Sequence, residues 1–359
     1  MRLSRMKFGQ SKLGWIGVDV GTSSLKIVQI ARDKQSWGVA ASAVVPRQQN
    51  WQGDLIAVNE AISSLHEMKA ARSLQDGYRG RFVAATLPMA LCDVHCLDRA
   101  LDQESNPQQV LRRTIETATQ QSVEHVQCDY WSAPAAAGKP GWTQALTVPR
   151  NWTDRLCEDI AQVGWSCEAI DGTPFAMVRS VGMVDRSPGP LAALDWGSSR
   201  ATLCLIDKGQ PAYVRCLKNC GLRNLLDALV ENLQVTELEA QRLLEDYGLS
   251  SIVSDDSCEI AKLVQDIISE PISHVVQEIK RSFSHYQYLR REARSERLYL
   301  LGGGAMVKGL ESFLSTQLEI EARKWQSPAE GSSRTTNDPS ADCLLASAIA
   351  LSALAWEAS

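Results

Sequence analysis

Residues 15–30 read WIGVDVGTSSLKIVQI, two apolar runs separated by a short turn of small residues. Both runs are rich in valine and isoleucine and the turn contains glycine, so the pattern predicts a β-hairpin. A turn of glycine and hydroxyl residues exposes backbone N–H groups, and such groups bind phosphate oxygens. Lys26 follows the turn and supplies a positive charge for the same phosphates. The predicted phosphate-binding residues of this turn are Gly21, Thr22, Ser23 and Ser24.

The same arrangement recurs in the second half of the chain, where residues 191–199 read LAALDWGSS. An apolar strand again ends in an aspartate, and a glycine follows one residue later. A third predicted strand, residues 297–301, leads directly into three glycines. One such turn is a weak signal, because Asp-x-Gly after a strand is usually only a turn, but an ordered set of three is much more specific. The second phosphate-binding turn is predicted at Gly197, Ser198 and Ser199.

Two aspartates and the late glycines complete the predicted site. Asp19 and Asp195 each stand near the end of a strand, where they would face each other across a cleft. Mg²⁺ keeps several of its waters and needs only one or two carboxylates, so this pair predicts a water-mediated magnesium site. Three consecutive glycines would let the backbone approach a flat base or a ribose that any Cβ would obstruct. These glycines are Gly302, Gly303 and Gly304.

The composition is that of an ordinary globular protein. Its 359 residues correspond to two or three domains, and a net charge of −5 argues against a nucleic-acid-binding protein. The apolar stretch 343–356 is shorter than the roughly 20 residues of a membrane span. The ten cysteines include no Cys-x-x-Cys pair, which suits a reducing cytoplasm better than a disulfide scaffold or a zinc site.

Five segments, in order along the chain, carry a resemblance to a known superfamily. They are IGVDVGTSSLK (16–26), IDGTPFA (170–176), LDWG (194–197), CGLRNL (220–225) and LLGGGA (300–305). Together they resemble the actin/Hsp70/sugar-kinase ATPase superfamily and, within it, the PilM family of type IV pilus assembly proteins, relatives of the division protein FtsA. The likeness extends from about residue 13 to the C-terminus.

The resemblance implies an α/β fold of the actin-like ATPase type, with two RNase-H-like lobes and ATP in the cleft between them. It adds Gly221 and Asn224 to the late glycines as adenosine-binding residues. The segment 187–190, Ser-Pro-Gly-Pro, separates the lobes. The expected domains are lobe I in two parts (13–86 and 151–188), an inserted FtsA-type subdomain (87–150), lobe II (191–326) and a C-terminal helix returning to lobe I (341–359).

The expected function also comes from the resemblance. Members of the family sit on the cytoplasmic face of the inner membrane and bind the N-terminal cytoplasmic tail of the membrane protein PilN in a groove beside the inserted subdomain. The resemblance therefore implies an ATP-binding cytoplasmic adaptor, peripheral to the inner membrane, that couples a PilN-like protein to the motor and platform of the pilus and contacts other pilus assembly proteins. Self-association stays open, and competence and related secretion systems use the same type of component.

Departures from the family pattern bear on hydrolysis. Family members commonly carry two threonines after the second Asp-x-Gly, where this chain has Ala201 and Thr202. Trp196 replaces a smaller aliphatic residue and needs a pocket of its own. Catalysis also requires a group that orients the attacking water, and Asp171 is the candidate, although it would serve equally as a capping acid before the next helix. We therefore expect ATP binding with slow or absent hydrolysis.

Two other functions compete with the adaptor. A small-molecule kinase of the same superfamily would need a carboxylate base and a polar pocket, and residues 87–150 contain no obvious sugar-binding cluster. A filament-forming protein similar to FtsA would end in a basic amphipathic helix, whereas residues 351–359 contain no lysine or arginine.

Overall fold

The computed structural model describes residues 12–32, 36–51, 55, 60–74, 77–97, 100–101, 104–119, 122–133, 142–249, 258–290, 295–327 and 341–357. The strands are β1 (Lys12–Val20), β2 (Ser24–Arg32), β3 (Trp37–Pro46), β4 (Phe82–Thr86), β5 (Asp93–Leu97), β6 (Val126–Ser132), β7 (Thr143–Pro149), β8 (Ser166–Ile170), β9 (Leu191–Trp196), β10 (Ala201–Asp207), β11 (Gln210–Leu217), β12 (Arg297–Leu301) and β13 (Glu321–Lys324). The α-helices are α1 (Leu65–Leu74), α2 (Pro107–Thr119), α3 (Arg150–Gln162), α4 (Thr173–Val184), α5 (Leu222–Leu233), α6 (Glu237–Asp246), α7 (Cys258–Arg290), α8 (Leu310–Leu318) and α9 (Asp342–Glu357).

Two five-stranded sheets share one topology. The first sheet has the order β3-β2-β1-β4-β8, and the second has the order β11-β10-β9-β12-β13. In each sheet the central strand pairs antiparallel with the next strand in the chain and parallel with a later one. The predicted hairpin at residues 15–30 is confirmed as β1 and β2. The repeated motif in the sequence therefore corresponds to a repeated sheet.

Helix α9 joins the two sheets. It packs against β1, β2 and β4 of the first sheet and against β12 of the second, and most of its residues are buried. A helix that is buried on all sides must be apolar all round, which explains its run of alanine, leucine and isoleucine. Gly17 of β1 allows the close approach, since a Cβ there would lie 2.0 Å from the carbonyl oxygen of Ala348. Among the described residues, no helix combines the length and the hydropathy of a membrane span.

A smaller antiparallel sheet, β5-β7-β6, is inserted between β4 and α3 of the first half. Helix α2 covers it, and the two share a small core of their own around Leu111, Ile115 and Ala145. The sheet also contacts the second half of the molecule, because the indole Nε1–H of Trp131 donates to the carbonyl oxygen of Pro211 at 2.8 Å. The insert therefore touches both halves.

Some elements differ from what the sequence pattern predicts. Apolar spacing over residues 55–65 favours a helix there, but the described residues 60–64 are not helical and α1 begins at Leu65; residues 52–54 and 56–59 lie outside the described part. The continuous helical pattern of residues 221–249 is divided into α5 and α6. Gln234 ends α5 in a left-handed conformation, and Thr236 begins α6 with a capping box.

Candidate functional site

Three turns, one after each of β1, β9 and β12, converge on a single cleft between the two sheets. Thr22 of the first turn donates its hydroxyl to Ser199 of the second turn, with 3.3 Å between the oxygens. Gly302 of the third turn lies so close to Asp195 that a Cβ would be 2.4 Å from the carboxylate oxygen. We call this space the central cleft. Its lining includes Asp19, Gly21, Thr22, Ser23, Ser24, Lys26, Asp195, Gly197, Ser198, Ser199, Gly302 and Gly303.

The β1–β2 hairpin fixes the charged residues of the first turn. Asp19 and Lys26 stand opposite each other in the antiparallel register, and Lys26 Nζ lies 3.2 Å from Asp19 Oδ2. Both side chains are half-buried. The lysine is therefore held at the entrance of the turn, in a position where an anionic group would compete with Asp19 for it.

The surroundings of Asp195 in the central cleft shift the pKa of its carboxyl group. Burial and, to a smaller extent, the negative charge of Asp19 raise its pKa, the positive charge of Lys26 lowers it, and together these effects bring the pKa of Asp195 to about 6. Two carboxylates that repel each other in this way fit a divalent cation, whose charge would relieve the repulsion. Among the described residues no three His, Cys, Asp or Glu side chains cluster, so the pair fits a hydrated Mg²⁺ better than a fully coordinated metal.

The backbone of the third turn packs closely on the side chain of Trp196. Gly302 has φ +80°, a left-handed conformation that favours glycine. A Cβ on Gly304 would lie 2.3 Å from Cγ of Trp196, whose side chain is buried in the core of the second sheet. The indole therefore has the separate pocket that the sequence requires, and it does not line the central cleft.

Three of the expected adenosine-binding residues lie outside the lining of the central cleft. Gly304 packs on the indole. Gly221 caps helix α5 against the second turn, and the amide of Asn224 donates to the carbonyl oxygen of Asn219 at 2.9 Å. Leu222 lines the cleft in their place, next to Gly303.

Asp171, the candidate for orienting the attacking water, is not among the described residues that line the central cleft. Its carboxylate forms an ion pair with Arg179 at 2.8 Å. Burial raises the pKa of Asp171, and the guanidinium of Arg179 opposes this effect. Asp171, which directly follows strand β8, lines a different cavity that is described below.

Arg47, which was not predicted from the sequence, contacts the backbone of the first turn. Its Nε–H donates to the carbonyl oxygen of Gly21 at 3.0 Å, and its guanidinium lies 3.7 Å from the ring centroid of Trp51. Trp51 in turn packs on Trp152 of α3, with the ring centroids 5.1 Å apart. Arg47 follows an unpredicted strand and belongs to no local motif, so the sequence held no signal for it.

A second and larger cavity of about 570 Å³ lies between the inserted sheet, α3 and the start of α4. We call it the side groove. Its wall is apolar at Trp131, Leu146 and Phe175 and acidic at Asp129 and Asp154, and the described residues that line it include no lysine or arginine. The full lining is Thr86, Leu87, Cys92, Gln127, Cys128, Asp129, Trp131, Leu146, Val148, Thr153, Asp154, Cys157, Ile170, Asp171, Gly172, Thr173 and Phe175.

The two cavities are neighbours. Thr173, the first residue of α4, belongs to the lining of both. Its hydroxyl lies 3.1 Å from the hydroxyl of Thr86 at the end of β4. Thr173 therefore lies between the central cleft and the side groove.

Comparison with known proteins identifies the family. The sequence model of the type IV pilus assembly protein PilM matches residues 17–330. The chain belongs to the PilM family. Its fold is similar to that of the solved PilM-PilN type IV pilus biogenesis complex, with a TM-score of 0.76 and 18% identity over 95% of this chain and 98% of that one. The predicted actin-like α/β fold of this PilM-family chain is thereby confirmed.

A second solved structure has the same fold at a lower similarity. The ethanolamine utilization protein EutJ from Carboxydothermus hydrogenoformans has a TM-score of 0.55 and 14% identity, over 95% of this chain and 89% of that chain. At such identities the likeness of this PilM-family member to either structure concerns the fold alone. No curated protein is significantly similar to it in sequence.

Proposed function

We propose that the protein is an ATP-binding adaptor of type IV pilus assembly, which binds the cytoplasmic tail of a PilN-like membrane protein and couples it to other pilus components. The observation that carries this proposal is the convergence of three turns on the central cleft, through the Thr22–Ser199 hydrogen bond and the close approach of Gly302 to Asp195. Membership of the PilM family supports the pilus assignment.

The chain's own groups suggest how the central cleft would hold ATP and Mg²⁺. The N–H groups of Gly21 and Gly197 close their turns by donating to the carbonyl oxygens of Ser24 and Arg200, and backbone N–H groups of the following turn residues, 22–24 and 198–199, would donate to phosphate oxygens. Lys26 would exchange its contact with Asp19 for a phosphate. Asp19 and Asp195 would hold the cation through water, and the bound cation would neutralise phosphate charge. Gly302, Gly303 and Leu222 would face the adenosine.

We further propose that hydrolysis is slow or absent. Among the described lining residues of the central cleft, the carboxylates are Asp19 and Asp195, and both have the proposed metal role. Asp171 is paired with Arg179 instead. A water-orienting base is therefore lacking among these residues, and the same lack disfavours the small-molecule kinase, which needs a base for its acceptor.

The side groove is the proposed binding site for the tail. Its volume lies within the roughly 300–1,000 Å³ of typical ligand sites. An apolar wall with an acidic edge favours a short segment that carries apolar and basic side chains. The solved PilM-PilN complex, which has a similar fold, supports a PilN-like partner. Through this partner the protein would be peripheral to the inner membrane, on its cytoplasmic face.

The domain boundaries in this proposal are those expected from the sequence. Residues 87–150 would form the inserted subdomain that completes the side groove. The remaining parts are lobe I (13–86 and 151–188), lobe II (191–326) and the C-terminal helix (341–359).

Nucleotide binding can be tested by calorimetric titration of Mg-ATP. We expect Asp19→Ala and Lys26→Ala each to weaken the affinity by at least about tenfold, the effect of losing one charged contact. Lys69→Ala on the exposed side of α1 is the matched control and should bind as the wild type does. Unchanged affinity in both cleft variants would falsify the assignment of the cleft.

Tail binding needs a separate test with a labelled peptide that has the sequence of the cytoplasmic N-terminal tail of a PilN-like protein from the same organism. We expect Asp154→Lys, on the wall of the side groove, to weaken peptide binding about tenfold, because it reverses a charge that faces the ligand. Glu158→Lys, one turn further along α3 and outside the groove lining, is the control. If both variants bind the peptide equally well, the tail does not occupy the groove.

A further inference from the structure

The second turn of the central cleft contains a positively charged residue that has no role in the site as described above. Arg200 is the last residue of this turn, because its carbonyl oxygen accepts a hydrogen bond from the N–H of Gly197 at 3.1 Å. The arginine is half-buried and belongs to the lining of the cleft. Among the described lining residues, the other cation is Lys26. Each of the first two turns therefore brings one positive charge to the cleft.

The two cations differ in their charge partners. In the first hairpin, Lys26 stands opposite Asp19 and pairs with it at 3.2 Å. In the second hairpin, the residue opposite Asp195 is Thr202, and Arg200 lies two positions earlier in the chain. Within the described part of the chain, no carboxylate lies at ion-pair distance from the guanidinium of Arg200. Its charge is therefore not balanced by an acid of the cleft.

The guanidinium has a weak partner in this structure. Nη1 of Arg200 donates to Sγ of Cys216 on β11 at 3.9 Å, and the thiol of Cys216 donates to the carbonyl oxygen of Met89 at 3.8 Å. A thiol sulfur is a weak acceptor, and a guanidinium carries several further N–H donors. Met89 belongs to the first half of the molecule and lines the cleft. The guanidinium therefore lies near the junction of the two halves with donors available for a ligand.

These features favour an anionic ligand. An unpaired charge that has lost part of its hydration is destabilising, and an anion that binds it relieves this effect. Phosphate also matches the shape of a guanidinium, since two N–H groups can donate to two phosphate oxygens at once. Arg200 is therefore suited to bind a phosphate group in the central cleft.

The position of the side chain indicates which phosphate it would contact. The adenosine would face Gly302, Gly303 and Leu222, whereas the guanidinium of Arg200 lies at Cys216, next to the side of the cleft that residues 88–90 form. The terminal phosphate of a triphosphate is the one farthest from the adenosine. It is therefore the phosphate group nearest to this side.

We propose that Arg200 binds the terminal phosphate of the nucleotide and makes the cleft selective for a nucleoside triphosphate over the diphosphate. The proposal rests on the proposed nucleotide-binding function of the cleft and adds the residue that distinguishes the two nucleotides. A diphosphate lacks the group that the guanidinium would contact, so its binding leaves the charge of Arg200 unpaired. Lys26 belongs to the first half and Arg200 to the second, so a triphosphate bound by both would also hold the halves together.

The test compares the affinities of the full-length protein for Mg-ATP and Mg-ADP by calorimetric titration. The wild type should prefer Mg-ATP by at least about tenfold, the effect of one charge-assisted contact. Arg200→Gln should lose this factor for Mg-ATP and change the affinity for Mg-ADP by less than about twofold, so that the preference disappears. Arg200→Lys keeps the charge without the paired donors and should have an intermediate preference.

Arg242→Gln, on the exposed side of α6, is the matched control, because it removes the same charge from the second half and should bind both nucleotides as the wild type does. Thermal melting checks that each variant is folded, and the Arg200→Lys ratio decides if the glutamine variant is unstable. Equal losses for the two nucleotides, or no loss for Mg-ATP, would overturn the proposal.

The failure of this proposal can be told apart from that of the nucleotide site itself. If the wild type binds Mg-ATP, Asp19→Ala weakens the binding and Arg200→Gln keeps the preference for the triphosphate, the cleft binds nucleotide and only the role of Arg200 is wrong. If the wild type binds neither nucleotide, the proposed function and the role of Arg200 are both wrong.

Discussion

At the scale of single residues, the charges of the central cleft were predictable and the neutral contacts were not. Asp19, Lys26 and Asp195 are local features, because each has a fixed place relative to a strand end and a turn. The surroundings of Asp171 depend on the direction of its side chain, which pairs with Arg179 on the following helix and lines the side groove. Sequence spacing contains no information on that direction.

The raised pKa of Asp195 predicts that Mg-ATP affinity depends on pH. Below about pH 6 the carboxylate becomes protonated and loses the charge that would hold the cation. We expect the affinity to fall several-fold between pH 7.5 and pH 5.5 in calorimetric titrations. Asp195→Asn should bind weakly at both values and lose most of this pH dependence, and an unchanged pH profile in that variant would assign the titration to another group.

The same group has the opposite effect on the stability of the free protein. Its pKa in the folded protein is about 6, above the ordinary value of 3.8, so folding disfavours its charged form. The stability due to this group is therefore present below pH 4 and is lost as the pH rises through 6. At pH 8 we expect Asp195→Asn to stabilise the protein by about 1–2 kcal/mol, after allowance for screening by the water that reaches the side chain. Urea denaturation at pH 8 and pH 4 measures the difference, which should disappear at the lower pH.

Adjacent glycines in the third turn should respond very differently to substitution. Gly304→Ala would place a Cβ within 2.3 Å of the buried indole of Trp196, and such overpacking costs about 1–3 kcal/mol. Gly303→Ala meets its nearest atom, on Leu222, at an ordinary 3.7 Å and should change stability by less than about 0.5 kcal/mol. Chemical denaturation of both variants gives the comparison, and equal losses would contradict the packing described here.

At the scale of elements, strands with apolar alternation or valine-rich runs were predictable, and the edge strands β3 and β13 were not. The polar segment β13 has the sequence EARK and becomes a strand only because it pairs with β12. Strand β3 is a run of small and branched residues at one edge of the first sheet, where pairing with β2 determines its conformation. The conformation of each strand therefore depends on its pairing with a neighbouring strand, and the segment itself contains no pattern that predicts it.

The close packing of α9 on β1 predicts that adding a side chain at Gly17 lowers the stability of the protein. Gly17→Ala would bring a Cβ to 2.0 Å from the backbone oxygen of Ala348, and a backbone atom cannot move aside as the end of a flexible side chain can. We expect a loss of about 3 kcal/mol or more in urea denaturation. Gly38→Ala in β3 is the control, because a Cβ there meets nothing within 4 Å; a similar loss in the control would show that alanine disfavours the strands in general.

At the scale of the whole molecule, the central cleft is closed. Its cavity of about 100 Å³ is smaller than the roughly 300–1,000 Å³ of typical ligand sites. Besides the Thr22–Ser199 contact, the amide of Asn50 donates to Glu237 at 3.3 Å, and Arg223 pairs with the same carboxylate at 3.2 Å. Admission of the proposed nucleotide would therefore require the two halves to separate. Sequence patterns contain no information on this closure, because it is a property of the relative position of the halves.

Weakening the contact between Asn50 and Glu237 should therefore accelerate nucleotide binding. A hydrogen bond to a charged group contributes on the order of 1 kcal/mol at an accessible site, so Glu237→Ala should raise the association rate about three- to tenfold if opening limits binding. Stopped-flow fluorescence with a labelled ATP analogue measures this rate. Glu231→Ala, at the surface of α5, is the control, and an unchanged rate in Glu237→Ala would show that opening occurs before and independently of this contact.

Helix α4 is shared by the two halves, and this has a mechanical consequence. Its first turn, with Thr173 and Phe175, lines the side groove, while the rest of the helix packs on β9, β10 and β11 of the second sheet. Trp131 in the opposite wall is fastened to that sheet as well, through Pro211. A rotation of the two halves that admits ATP would thus move helix α4 and change the width of the side groove. The affinity for a peptide in the groove would then depend on whether the nucleotide is bound, although the peptide does not touch the nucleotide.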